Sequence, residues 1–318
     1  MRAIVVESGK AELRDVPKPV AGPGEVLVKV TLAGICGTDL EILKGYGGYR
    51  GILGHEFVGT VVQGPDALMN QRVVSEINCV CGKCDLCASG LSIHCRRRSV
   101  IGIVDRPGVF AEFVAVPERN CHVVPASVDD EAAVFVEPLA AAYQVTRQYK
   151  LESRTAVTVL GTGRLGLLVA QVLASRKCKL QAVGRNPRTL DVLDRKGIRT
   201  MLLSDLRQFG DQDLVIDCTG SPDGLATAIK LVRPRGTILM KTTCKDTSGI
   251  DMTPIVVNEI SLIGSRCGPF DRALDALARR EIDTAGLVTR RMPLSAGVEA
   301  LALAGQPDQI KVLLRAGE

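Results

Sequence analysis

At 318 residues the chain is long for one compact domain and comfortable for two. An apolar fraction of 46% and a charged fraction of 24% are those of an ordinary soluble globular protein. The formal charge of +5 is scattered, apart from Arg96-Arg97-Arg98, so the dense basic stripe that a nucleic-acid surface needs is missing and no nucleic-acid partner is expected.

Residues 1–15 lack an apolar h-region and a cleavage site, so no signal peptide is expected and the sequence reads as cytoplasmic. Residues 1–120 read as short strands, "RAIVVE", "EVLVKVTLAGI", "FVGTVVQG", "QRVVSEI" and "AEFVAVP", separated by Gly and Pro. This predicts an irregular, mainly antiparallel β region. After about residue 140 the pattern changes to strands alternating with helices. "TAVTVLG", "LQAVGR", "DLVIDCTG", "GTILMKTT" and "ISLIGS" are strands; "RLGLLVAQVLASRK" and "PRTLDVLDRKG" are helices. Such alternation makes a doubly wound parallel sheet, and the fold class is α/β. Ala156–Ala174 is apolar enough for a membrane span, but its three glycines and Arg164 suit a buried strand, turn and helix, so no membrane partner is expected. In the tail, "IKVLL" reads as a last strand that returns to the first domain.

Eleven cysteines are many for a reducing compartment, and four of them fall in one window as Cys81-x-x-Cys84-x-x-Cys87-x7-Cys95. Disulfides are disfavoured there, so the clustering points to a closed zinc site. Four coincidental loop cysteines would be the bland explanation. Cys79 fits no slot in the pattern, and the basic run after Cys95 reads as solvated surface.

The turn Gly161-Thr-Gly163-Arg164-Leu165-Gly166 follows a strand and opens a helix. In that context GxGxxG reads as a dinucleotide site, with phosphates on the free N–H groups of the helix N-terminus. Thr219, after a later strand of the same sheet, is a further candidate contact. The second strand ends "AVGRNPR", with Gly184 in place of the acid that usually holds the ribose 2′-OH. Arg185 and Arg188 stand where guanidinium groups would pair with a 2′-phosphate, with Asn186 between them, so NADP is expected over NAD. Both arginines facing solvent is the counter-reading.

His55, in "GHEFVG", lies beside Glu56; Cys36 lies upstream in "GICGTDLEILKG" and Glu137 downstream in "FVEPLAAAY". Cys, His and Glu from three places, in a chain that also holds a dinucleotide, suggest an open zinc site. A satisfied core pair would explain His55 and Glu56 but not the others.

With "GICGTD", "GHEFVG", the four-cysteine lobe, "GVFAEFVAVP", "VEPLA", "VLGTGRLG" and "ISLIGS" in order, the chain resembles the zinc-dependent medium-chain alcohol/polyol dehydrogenases over nearly its whole length. The resemblance implies a GroES-like, mainly β catalytic domain at 1–140 and 269–318, with a Rossmann domain inserted at 141–268. It implies two zinc ions per subunit, NADP or NAD, and a homodimer or homotetramer acting on a small alcohol or carbonyl substrate. Cys36 and His55 resemble ligands of the catalytic zinc. Glu137 takes the third-ligand position, Glu56 can coordinate in exchange with water, and the direct ligand stays open between them. Asp39 resembles the acid that orients His55, and Thr38 the hydroxyl that passes on the substrate proton. The family often has a histidine three residues after that threonine; here it is Glu41, as in sugar dehydrogenases, and Glu41 or solvent would end the relay. Glu112 in "FAEFV" would be a sugar-hydroxyl contact or a structural group. "QGPDALMNQRVV" is compressed where relatives carry a longer loop, and "KGYGGYRGI" suggests a polar substrate. Two rivals remain: a zinc-binding nucleic-acid or interaction module without catalysis, and a zinc-free quinone reductase on the same fold.

Overall fold

The computed structural model describes residues 1–207, 209–243 and 249–317. In chain order the first part carries β1 (Arg2–Glu7), β2 (Lys10–Asp15), β3 (Glu25–Gly34), α1 (Gly37–Leu43), β4 (Gly51–Ile52), β5 (Glu56–Gln63) and β6 (Arg72–Ser75). It continues with β7 (Asn78–Cys79), α2 (Asp85–Ala88), β8 (Ser99–Val100), β9 (Phe113–Pro117), β10 (Cys121–Val123) and α3 (Asp130–Val134). Next come α4 (Val136–Gln148), β11 (Ala156–Leu160), α5 (Arg164–Ala174), β12 (Lys179–Gly184), α6 (Pro187–Asp194), β13 (Arg199–Leu202) and β14 (Gln212–Asp217). The middle part ends with α7 (Asp223–Leu231), β15 (Val232–Met240), α8 (Thr253–Val257) and β16 (Ser261–Gly264). The last residues form α9 (Phe270–Ala278), β17 (Val288–Pro293), α10 (Gly297–Ala304) and β18 (Lys311–Arg315).

The chain divides into two compact units, Met1–Glu137 with Phe270–Glu318, and Pro138–Pro269. The first is built on a seven-stranded sheet, β10-β6-β5-β3-β18-β17, with β9 also on β3, and a smaller β2-β1-β4 sheet. β18 runs antiparallel to β3, with Leu313 opposite Gly34, and β5 runs antiparallel on the other side, with Glu56 opposite Gly34. Apolar residues on β3 are buried on both faces near its end, where Leu32, Ala33 and Ile35 are almost inaccessible. That end delivers the chain to Cys36.

The second unit is a six-stranded parallel sheet in the order β13-β12-β11-β14-β15-β16. β11 is the central strand and reads AVTVL, with Val157, Thr158 and Val159 fully buried, as a strand covered on both faces requires. Leu160, Val183, Val215, Ile238 and Leu231 pack into one core cluster, each fully buried aliphatic side chain contributing about 1.5–3 kcal/mol. Helix α6 starts on Asn186, whose side chain accepts from the Arg188 N–H at 3.0 Å, with Pro187 in the first turn.

Candidate metal centre and nucleotide turn

Cys36 ends the extended run of β3 and caps α1. The Asp39 carboxylate, fully buried one turn on, accepts from the Cys36 N–H at 2.8 Å through Oδ2. Its other oxygen, Oδ1, lies 3.3 Å from His55 Nδ1. Neither atom has a hydrogen-bond partner among the described residues, but the two groups are adjacent. Burial alone would lower the His55 pKa; the Asp39 and Cys36 groups outweigh it and raise it well above the ordinary value. Thr38 Oγ1 is 3.8 Å from Cys36 Sγ.

Cys36, His55 and Glu56 each present one ligand atom, and these atoms lie within 4.8 Å of one another. Glu56 and His55 are buried, and Glu56 Oε1 has no hydrogen-bond partner among the described residues. A thiolate, an imidazole and an orphaned carboxylate oxygen around one point are a donor set that suits zinc. Glu137, at the start of α4, stands outside this set. Of the two carboxylates between which the sequence left the choice open, the geometry therefore brings Glu56 to Cys36 and His55. Glu41 lies on the outer side of α1, with its carboxylate 2.9 Å from Lys44 Nζ and 38% exposed.

The lobe residues Cys81, Cys84, Cys87 and Cys95 form a second set within 4.8 Å. Cys84 Sγ is 3.5 Å from Cys87 Sγ and 3.8 Å from Cys95 Sγ. Four sulfurs about 2.3 Å from a tetrahedral zinc would be about 3.8 Å apart, so this set fits a closed site. The Lys83 backbone N–H, foremost, lowers the Cys81 thiol to about 6, and the Arg96 and Cys87 N–H groups lower Cys84. Burial, with the neighbouring sulfurs, pushes Cys87 up to about 11. The basic run is not merely solvated: Arg97 reaches Cys81 Sγ at 3.6 Å, and Arg96 pairs with Asp85 through two bonds of 2.8 and 2.7 Å. Cys79 stands outside the lobe set; Asn120 Nδ2 lies 3.9 Å from its sulfur. Glu112 accepts from the Arg2 N–H at 2.9 Å and from the Arg2 guanidinium at 3.2 and 3.3 Å.

In the second unit Gly161 has φ +95°, and a Cβ there would lie 2.7 Å from Cys218 C and Thr219 N, so only glycine lets β11 turn against the end of β14. A side chain at Gly166 would run into the Gly161 carbonyl, which closes the helix onto the turn. Gly163 faces open space and caps α5, leaving the N–H groups of Arg164 and Leu165 at the helix start. This opening is where a pyrophosphate fits. Thr219 is committed to the turn itself, donating to Asp217 Oδ1 from its N–H at 2.9 Å and its hydroxyl at 2.7 Å.

Gly184 is buried, and the space beside it is filled. A Cβ at this position would overlap Thr162 Oγ1, which is held at 2.8 Å by Thr189 Oγ1. The missing acid is thus tied to packing against the glycine turn. Arg185 and Arg188 are exposed, and Asn186 is engaged as the cap of α6.

Sequence reasoning missed Lys311, which is fully buried on β18 and ion-paired with Glu56. A lysine in the core-facing phase of the apolar run "IKVLL" was the available signal, because lysine is almost never fully buried unless paired. Its partner, 255 residues away, left none.

Residues 22–126 match the model of the alcohol dehydrogenase GroES-like domain, and residues 125–315 that of the glucose dehydrogenase C-terminus. The chain is 29% identical to a sorbitol dehydrogenase of Halalkalibacterium halodurans, with 96% of each chain covered. It superposes with a TM-score of 0.88 on the alcohol dehydrogenase RspB of Escherichia coli CFT073 in complex with NADH, at 27% identity and 99% coverage of both chains. A zinc-binding dehydrogenase of Sinorhizobium meliloti 1021 bound to NADP superposes with a TM-score of 0.89, at 27% identity over 99% of this chain and 98% of that one. A mainly β unit with two cysteine-bearing donor sets, a parallel sheet opened by a glycine turn, and these matches across both units lead to one conclusion: the chain belongs to the zinc-type medium-chain alcohol/polyol dehydrogenase family.

Proposed function

We propose that this oxidoreductase moves a hydride between NADP and a polyol, sugar or secondary alcohol, at a zinc held by Cys36 and His55. The observation that carries this reading is the Cys36–His55–Glu56 set, its imidazole and carboxylate buried, with the Asp39 carboxylate behind the imidazole. When bound, zinc would acidify the substrate hydroxyl, and the nicotinamide would accept the hydride. The chain's own residues do the rest. Asp39, 3.3 Å from His55 Nδ1, would orient the imidazole and leave its other nitrogen for the metal. Thr38 takes the substrate proton, and the half-exposed Glu41–Lys44 pair on the same short helix gives that proton an outlet to water. Gly161, Gly163 and Gly166 shape the turn that receives the pyrophosphate, and Arg185, with Arg188, pairs with the 2′-phosphate. The compact loop after β5 and the glycine- and tyrosine-rich segment after α1 favour a polar substrate.

A second zinc belongs to the four-cysteine lobe, where it serves folding. Homo-oligomerisation is supported by β16, the edge strand of its sheet, and by Met252, Val256, Val257 and Leu262, whose apolar side chains are exposed nearby. Among the described residues no helix is long and apolar enough to cross a membrane; we place the enzyme in the cytoplasm. The testing experiment is NADP⁺ reduction against a panel of polyols, sugars and secondary alcohols, run with the natural chain and with Cys36→Ser. Turnover surviving in Cys36→Ser after its metal has been shown to be lost would overturn the reading.

A further inference from the structure

A second buried lysine, Lys241, stands in the nucleotide unit. It follows the last residue of β15 and is 9% exposed. Its ammonium donates to the Ala141 carbonyl of α4 at 2.7 Å, to the Arg266 carbonyl at 3.0 Å and to Ser265 Oγ at 3.1 Å. Three acceptors match the three N–H bonds of a charged lysine. The Lys241 backbone N–H donates to the Asp217 carbonyl at 2.9 Å, and the Ser265 N–H to the Met240 carbonyl at 2.9 Å. Lys241 therefore sits level with the C-terminal ends of β14, β15 and β16.

Strand order says what comes to those ends. Ligands of an open parallel sheet lie outside the carboxyl ends of its strands, where the strand order reverses. Here that point is β11, with β12 and β13 on one side and β14, β15 and β16 on the other. The glycine turn after β11 suits the pyrophosphate, and the adenosine ribose goes to the end of β12. The other half of an extended dinucleotide then falls on the side of β14 and β15, which is the side of Lys241. That half carries the nicotinamide ring, a cation in NADP⁺ that becomes neutral when it gains a hydride.

Holding two carbonyls and a hydroxyl needs donors, and an amide side chain supplies donors without charge. What the lysine adds is a unit charge fixed out of water, where charges are felt more strongly. The neighbouring strand end registers it. Burial pushes the Cys218 thiol up to about 12, and Lys241 pulls it down more strongly than Asp217 pushes it up. The Asp217 carboxylate itself faces the start of α7: it accepts from the Thr219 N–H and hydroxyl, and a Cβ on Gly224 would lie 2.7 and 2.9 Å from its two oxygens.

We propose that Lys241 sets the redox preference of the nucleotide unit: its fixed charge disfavours the nicotinamide cation, so the chain holds NADPH more tightly than NADP⁺ and stands loaded to reduce a carbonyl. This rests on the dehydrogenase function proposed above and deepens it. Lys241 moves no proton and acts on the cofactor through its charge.

The test is calorimetric titration of the full-length, zinc-loaded protein with NADP⁺, NADPH and adenosine 2′,5′-bisphosphate, which has the adenosine half and no nicotinamide. The natural chain should bind NADPH about tenfold more tightly than NADP⁺, the size of one charge–charge interaction at an effective dielectric of about 20. Lys241→Gln should bring that ratio down about tenfold, and Lys241→Arg should keep it. All three proteins should bind the bisphosphate equally. A lysine that only clamps α4 would, on substitution, weaken both dinucleotides by the same factor and leave the ratio as it was. An unchanged ratio in Lys241→Gln that still binds the bisphosphate overturns the proposal. If the variants do not fold, the natural chain decides: NADP⁺ bound as tightly as NADPH overturns the proposal, and the expected preference for NADPH upholds it. A natural chain that binds neither dinucleotide refutes the dehydrogenase function, and the proposal falls with it. If both bind, alcohols are turned over and Lys241→Gln leaves the ratio unmoved, only the role of Lys241 is lost.

Discussion

Replacing Gly184 with Asp would restore the acid that NAD-selective sheets carry at this strand end. The structure predicts that the single substitution fails. Its Cβ would overlap Thr162 Oγ1, and Thr162 is buried and bonded to Thr189 at 2.8 Å. Overpacking of this kind costs about 1–3 kcal/mol, and losing the threonine pair adds about 1 kcal/mol. Gly184→Asp alone should therefore lower the thermal midpoint and weaken both cofactors, because the displaced Thr162 is part of the glycine turn. Pairing it with Thr162→Ala removes the overlapping oxygen. Thr189 keeps a partner, since its hydroxyl also donates to the Asn186 carbonyl at 3.0 Å. The double variant should regain stability and move preference from NADP towards NAD. A charge-assisted bond to the 2′-phosphate contributes about 1.5–3 kcal/mol, so the natural chain should prefer NADP at least about tenfold in kcat/KM. Arg185→Ala should lose most of that preference without harming NAD. Steady-state kinetics with both cofactors, beside thermal melts, check each step. Equal or better efficiency with NAD in the natural chain refutes the 2′-phosphate reading; a Gly184→Asp protein as stable as its parent refutes the role given to Thr162.

Metal analysis should find two zinc ions per chain, and Cys36→Ser should retain one with its fold intact and turnover abolished, as read by circular dichroism and activity together. Cys84→Ser should lose the other and fall in stability by several kcal/mol, seen as a large drop in thermal midpoint, because the lobe closes on four sulfurs. Burial would raise the Glu25 carboxyl, but Arg106 and the Gly22 N–H more than offset it and hold it below the ordinary 4.5. That stabilisation is present above pH 4.5 and is lost as pH falls through the lowered folded value. Glu25→Gln should therefore cost about 1–2 kcal/mol at neutral pH and close to nothing in acid; denaturant melts showing the same cost at both would contradict the pairing.

Short-range signals were the legible ones. "TAVTVLG" gave β11 because a strand buried on both faces must be a continuous apolar run, and the glycines after it gave the turn. The lobe was legible because its four ligands lie within fifteen residues. Cys36 and His55 needed the resemblance, since nothing local says that β3 and β5 bring their ends together. Glu41 was marked by its position after Thr38, whereas its pairing with Lys44 follows from the pitch of α1. Gly184 was read as an absent acid, and the reason for the glycine, a buried threonine from another loop, lies in packing that sequence spacing does not encode. β2 and β13 went unseen because their residues are only partly buried, so the apolar alternation that marks a strand is weak.

The ion pair between Glu56 and Lys311 also fixes an order of events during synthesis. A ribosome adding ~5–20 residues per second takes roughly 13–50 s to travel from one partner to the other. In that interval Pro138–Pro269 emerges whole and is free to fold as a unit, whereas the end of β3 waits with one edge uncovered until β18 arrives. The nascent chain thus carries a thiol, an imidazole and an unpaired carboxylate long before their cation exists. Until then the Glu56 carboxylate lacks the ammonium with which it pairs in the folded chain. Arrival of the C-terminal strand then becomes the step that completes the core of the first unit.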